Sequence, residues 1–168
     1  MSVVKNGGIL VEYRMGTIND IEQLAQMRIK YLLEDYKSIS DENIKKIQEQ
    51  LPIYYGKHLN KDMFAYVADV NGTIVSTAYL VLQEKPANPS FLKGKVGDVL
   101  SVYTEPSYRR QGIAKTVIHH LLQKAKELQL DYVELEATKD GYPLYKTLGF
   151  EEVISHYKKM KYVVKGNE

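Results

Sequence analysis

The strongest constraint on the fold lies in MFAYVADVNGTIVSTAYLVLQ, residues 63–83. Two runs rich in β-branched and aromatic residues flank Asn71-Gly72. A two-residue type I′ turn needs positive φ at both central positions, and Asn-Gly is the pair that accepts this most readily. The stretch therefore predicts a long antiparallel hairpin, and such a hairpin commits the chain to a sheet. Other strands are predicted over ILVEYRM (9–15), VGDVLSVYT (96–104), DYVELEA (131–137) and EEVISHYKKMKYVV (151–164).

Helical spacing fills the intervals. Thr17 and Asp20 form a capping-box pattern ahead of a stripe of Ile21, Leu24, Ala25 and Leu32, which Arg28 interrupts. Ser40 caps a second helix, which Pro52 is expected to end or kink. Ile113, Val117, Leu121 and Ala125 recur every four residues and give one face of a third helix over 110–130. KDGYPLYKTLGF reads as a short helix with Gly149 at a left-handed C-cap. The order is β-α-α-β-β-β-α-β-α-β, a mixed α/β sheet. One parallel pair arises where the 110–128 helix crosses over.

At 168 residues the chain is expected to form a single domain, 1–168. Such a length buries roughly 70% of the unfolded chain's surface. The net charge is only +2, with acids and bases interspersed, which speaks against nucleic acid as a partner. The absence of cysteine excludes disulfides, thiolate metal sites and a cysteine nucleophile. No run approaches the ~20 apolar residues of a membrane span. The opening residues lack the apolar core of a signal peptide, so a cytoplasmic location is expected.

One stretch carries chemistry: SVYTEPSYRRQGIAKTV, residues 101–117. A strand stops at Glu105-Pro106, and a lone glycine then precedes a helix. A helix start offers unpaired amides and about half a positive charge, which suits a phosphate. Gly112 lets an anion approach the backbone, Ala114 is nearly as small, and Arg109, Arg110 and Gln111 add donors. The turn also fits a plain strand-to-helix connection with solvated arginines, and the residues alone leave both readings open. Neither G-x-G-x-x-G nor G-x-x-x-x-G-K-[ST] is present.

Arg109-x-x-Gly112-x-Ala114 resembles the acetyl-CoA pyrophosphate motif, [R/Q]-x-x-G-x-[G/A], of the GCN5-related N-acetyltransferases (GNAT). Downstream, Pro143-Leu144-Tyr145-Lys146-Thr147-Leu148-Gly149-Phe150 resembles that family's L-Y-x-x-x-G-F element. The close match spans about 94–151. The resemblance implies a GNAT-like acyltransferase fold, acetyl-CoA as co-substrate, no metal, and acetyl transfer to a primary amine. It implies that Arg109, Arg110, Gln111, Gly112, Ile113, Ala114 and Lys115 hold the pyrophosphate. The backbone of Val102, Tyr103 and Thr104 would line the pantetheine arm where two strands splay apart.

By the same resemblance, Tyr145 is the acid that protonates the departing thiolate. The alternative is a core tyrosine packed on Phe150, with Tyr142 as a competing acid. Asp98 occupies fourth-strand positions where some members carry a catalytic glutamate. One methylene shorter, it would act through a water, and a solvated strand-end Asp fits it equally. Glu136 and Glu105 are reserves. Where many members have Asn, this chain reads Ala137-Thr138-Lys139, and Thr138 is the substitute hydrogen-bonding group.

In the family the segment at 17–60 usually roofs the acceptor site. Its Glu34, Asp35, Asp41 and Glu42 would favour a cationic amine, with Tyr31, Tyr36 and Tyr55 at the rim. A solvated helix–loop–helix explains the same residues. The expected partner is a small-molecule or peptide amine, with a homodimer left open. Adjacent His119 and His120 do not share a helix face and read as one exposed and one half-buried histidine. A non-catalytic acyl-CoA sensor and a nucleotide-phosphate or RNA binder are the rival functions.

Overall fold

The computed structural model describes residues 2–6 and 8–164. The chain's contacts divide it into two units, Met1–Glu136 and Ala137–Glu168.

The first unit is built on a six-stranded sheet: β1 (Ser2–Asn6), β2 (Ile9–Met15), β3 (Met63–Val70), β4 (Thr73–Glu84), β5 (Lys95–Thr104) and β6 (Tyr132–Glu134), in that spatial order. Neighbours are antiparallel as far as β5, and β6 alone runs parallel to its neighbour. The fold class is the expected mixed α/β one. The hairpin forms as predicted, with Val70 opposite Thr73 and positive φ at both Asn71 and Gly72. Asp69 reinforces the turn, its Oδ1 accepting from the Gly72 amide at 2.7 Å.

α1 (Ile21–Asp35) and α2 (Asp41–His58) lie between β2 and β3 in the chain. The capping box at Thr17 and Asp20 and the Ser40 cap both form. α1 packs on α2, β4 and β5. Leu24, Met27, Leu51, Tyr55, Met63, Val67 and Tyr79 are among the residues of that core. α3 (Ile113–Glu127) packs on β3 to β6 and buries Ile113, Val117, Ile118, Leu121 and Ala125, the predicted face with one addition. His119 is exposed and His120 half-buried, as read from the sequence.

Several expectations are corrected. α2 continues past Pro52 and does not end there. The i−4 carbonyl that loses its donor there belongs to exposed Gln48, where water can replace the missing N–H. β1 was not anticipated from the sequence. The strand expected over 131–137 contracts to the three residues of β6.

The second unit carries α4 (Tyr142–Thr147). Gly149 takes the predicted left-handed φ of 89°. The Phe150 and Gly149 amides return to the carbonyls of Tyr145 and Lys146, which is a Schellman closure. The strand expected at 151–164 does not form, and those residues are exposed. Adjacent apolar pairs, Val153-Ile154 and Val163-Val164, break the period of two that a one-sided strand needs. Among the described residues no helix is long and apolar enough to cross a membrane, and no group of acidic or histidine side chains is placed to hold a metal ion.

Candidate functional site

β5 and β6 pair only over Val96–Asp98 against Tyr132–Glu134. β5 continues to Thr104, so from Val99 onward its outer edge has no strand partner among the described residues. Just past the fork the β4–β5 register slips: Tyr79 faces Leu100, but Thr77 faces Tyr103. The extra residue is accommodated by Ser101, buried and in the left-handed region at φ 54°. Ser101 is pinned by its carbonyl, which accepts from Thr77 Oγ1 at 3.0 Å, and by its hydroxyl, which accepts from Arg28 Nη1 at 3.2 Å. A bulge re-aims the backbone next to it. Here it turns the stretch holding Val102, Tyr103 and Thr104. Ser76 Oγ holds that stretch from β4, donating to the Tyr103 carbonyl and bonding Thr104 Oγ1.

The chain then turns through Pro106–Tyr108 into α3. Gly112 is the N-cap residue, at φ 76°, and no side chain caps the helix. The first intrahelical bond runs from the Thr116 amide to the Gly112 carbonyl. The amides of Gly112, Ile113, Ala114 and Lys115 therefore lack an intrahelical acceptor, and none of them donates to another described residue. A Cβ built on Gly112 would find nothing within 4 Å. Four unsatisfied amides around an open cradle fit a diphosphate. Arg110, itself at a left-handed φ of 61°, and Lys115 are exposed beside the mouth. Gln111 donates to the Ser107 carbonyl at 3.2 Å.

Arg109 behaves differently from its neighbours. Its Nε donates to the Thr104 carbonyl and its Nη2 to Glu34 Oε2, both at 2.7 Å, with the guanidinium over the Tyr103 ring. The Glu34 hydrogen bond raises its pKa further, against the opposing effect of burial. Arg109 thus braces the turn against α1, and half of its donor fork faces a carboxylate already present. Lys30 and Glu105 form a parallel brace, which occupies one of the reserve bases.

Asp98 sits on the last paired rung before the fork and accepts from Gln83 Nε2. Among the acids expected to roof an acceptor, Glu34 is held by Arg109 and Glu42 by Lys46, and Asp35 accepts from Tyr31. Tyr55 is not a rim residue. It is 1% exposed, and its hydroxyl bonds that of Tyr79, which donates in turn to the Leu24 carbonyl. Tyr36 is exposed and Tyr31 half-buried.

In the second unit, Tyr145 meets Phe150 edge to face, with ring centroids 5.8 Å apart. Tyr142 donates to Glu152 Oε1 at 2.7 Å, which raises its pKa and ties up the competing phenol. Thr138 uses its hydroxyl to accept from the Gly141 amide and its carbonyl to accept from Tyr142. It shapes the entry to α4.

Two site features escaped the sequence reading. Nothing in the residue type of Ser101 announces a left-handed bulge. Arg28 had a signal, since a charged residue interrupts an otherwise apolar stripe of α1.

A family model described as the acetyltransferase (GNAT) family matches residues 23–150. Over 92 residues, 54% of this chain, the sequence is 32% identical to a glucosamine 6-phosphate N-acetyltransferase of Trypanosoma brucei brucei, and the match spans 57% of that relative's length. Among solved structures, one described as a predicted acetyltransferase from Clostridium acetobutylicum with acetyl-CoA is similar, at a TM-score of 0.79 and 27% identity, covering 90% of this chain and 96% of that one. A GCN5-related N-acetyltransferase from Ralstonia eutropha JMP134 has a TM-score of 0.76 and 24% identity over 89% and 98% of the two chains. At that identity the likeness concerns the fold.

Proposed function

Because the chain belongs to the acetyltransferase (GNAT) family, we propose that it transfers the acetyl group of acetyl-CoA to a primary amine of a small molecule or peptide, by direct attack in a ternary complex. The observation that carries this reading is the run of unsatisfied amides at Gly112–Lys115, opening beside a β5 edge that β6 has left. When bound, acetyl-CoA supplies an activated acyl group as a thioester. The α3 mouth holds the diphosphate, with Arg110 and Lys115 adding charge. The free edge at Val102–Thr104 offers backbone groups to the amide-bearing arm, although the Tyr103 and Thr104 carbonyls already accept from Ser76 Oγ and Arg109 Nε. The same edge is the source of donors for charge developing on the thioester oxygen.

Tyr145 is the proposed acid for the thiolate, on the strength of the L-Y-x-x-x-G-F resemblance. Asp98 is the proposed base. One methylene shorter than the glutamate some members carry, it is proposed to act through a water, with Gln83 holding its carboxylate in place. Arg109 is proposed to act by bracing the turn, and Thr138 by shaping the entry to α4.

Gly112→Glu tests the reading. It fills the open cradle with a side chain of the wrong charge. The KM for acetyl-CoA is expected to rise roughly tenfold or more, measured by thiol release. Unchanged cofactor affinity in that variant would contradict the assignment. An acyl-CoA sensor would bind the cofactor as tightly and release no thiol with any amine.

A further inference from the structure

We propose that the acceptor carries an anionic group, a carboxylate or a phosphate, close to its amine, and that Arg28 grips that group. The inference rests on the acetyl-transfer reading and names the class of amine.

Arg28 lies on the sheet-facing side of α1, one residue past buried Met27, and is half-buried. Its Nη1 donates to Ser101 Oγ, and its guanidinium carbon lies 5.2 Å from the centroid of the Tyr31 ring. Those are its only polar and ring contacts among the described residues, and no carboxylate pairs with it. The other cations of this region differ. Arg14 is clamped by Asp20 and Asp69, Lys30 by Glu105 and Arg109 by Glu34. The carboxylates nearby are engaged elsewhere: Asp35 accepts from Tyr31, and Asp62 pairs with His58.

A guanidinium has five N–H donors, and this one gives a single bond to a neutral hydroxyl. Partial burial of a charge without a counter-ion costs stability, and a leucine or methionine would suit that helix face better. The position therefore points to a role that needs the charge. Ser101 is the bulge residue on β5, immediately before the open edge at Val102–Thr104. An oxyanion on Arg28 would set an adjoining amine beside that edge. Three of the four roof acids that would have drawn a cationic amine, Glu34, Asp35 and Glu42, are already partnered.

The test uses the full chain and matched acceptors at saturating acetyl-CoA: glucosamine 6-phosphate against glucosamine, glycine against glycinamide, and spermidine as a polycation. In at least one pair the anionic member is expected to have a kcat/KM about tenfold or more above its neutral twin, and the productive pair shows whether phosphate or carboxylate is the ligand. In Arg28→Gln that ratio collapses toward one through the acceptor KM, and Arg28→Lys restores part of it. The melting temperature stays close to wild type, and because Arg28 also pins Ser101, a change in the KM for acetyl-CoA falls equally on both members of a pair and leaves their ratio unaffected. Preference for a neutral amine or for spermidine, or an equal loss on every acceptor with a lowered melting temperature, would overturn the proposal and leave Arg28 a strut. A second readout needs no turnover. The Arg28 Nε–H signal, assigned by its loss in Arg28→Gln, is titrated with inorganic phosphate and with acetate. A saturable shift is expected with one of them, and no shift with either overturns the proposal. Failure of the acetyl-transfer reading would appear separately, as absent coenzyme A binding or as binding with no thiol release on any acceptor.

Discussion

Tyr145 packs its ring on Phe150 across the Schellman closure of α4, so a substitution that keeps the ring separates packing from proton transfer. Tyr145→Phe is expected to lower kcat roughly a hundredfold, with the KM for acetyl-CoA little changed and the melting temperature retained. A variant with full kcat would reduce Tyr145 to its packing contact. Arg109 makes the opposite case. The motif presents it as a phosphate ligand, while its guanidinium is bonded to Glu34 and to the Thr104 carbonyl. The sequence displays the residue and not its partner, because Glu34 lies 75 positions away in the chain.

The hairpin tests the same physics at the level of elements. Gly72 has a φ of 85° at the turn between β3 and β4. A β-branched residue is strained there, so Gly72→Val is expected to cost about 1–2 kcal/mol in denaturant unfolding. Loss of less than a few tenths would show that the turn does not hold the register. Elements that rest on local chemistry were legible in advance: the Asn-Gly turn, the capping box at Thr17, the Ser40 cap, the Gly149 cap and the buried face of α3. Elements that depend on what lies beside them were not. The extent of β6 is set by where β5 turns away at the bulge, and no residue in DYVELEA records that. Pro52 is tolerated because its orphaned carbonyl faces water, a property of exposure rather than of sequence. In the candidate site, Gly112 was readable because only a residue without a side chain suits a left-handed N-cap open to a ligand. Ser101 was unreadable because serine gives no such indication.

Across the whole first unit, one ion cluster joins β2, the start of α1 and the β3–β4 hairpin. Arg14 donates to both oxygens of Asp20 at 2.8 Å and to Asp69 at 2.7 Å. The Arg14 hydrogen bonds hold the Asp20 carboxyl below the usual range, with burial opposing and the Thr17 amide and hydroxyl assisting. A folded-state pKa below the unfolded one stabilises the native state above the unfolded value, near 4, and that stability is lost as pH falls through the folded value. The Asp20 contribution to the unfolding free energy is therefore expected to be level from pH 7 to about 5 and to fall below about 4. Asp20→Asn should lose about 3 kcal/mol at pH 7 and show a shallower acid dependence. An acid limb as steep in the variant as in wild type would place the pH sensitivity elsewhere.

In the proposed function the opening turn of α3 grips a diphosphate and so lays a thioester along the edge of β5 that β6 leaves. Titrating ¹⁵N-labelled protein with coenzyme A measures this residue by residue. Saturable shifts are expected at the amides of Gly112, Ile113, Ala114 and Lys115, together with Val102, Tyr103 and Thr104. Binding that leaves those seven amides unmoved, or no saturable binding, would contradict it.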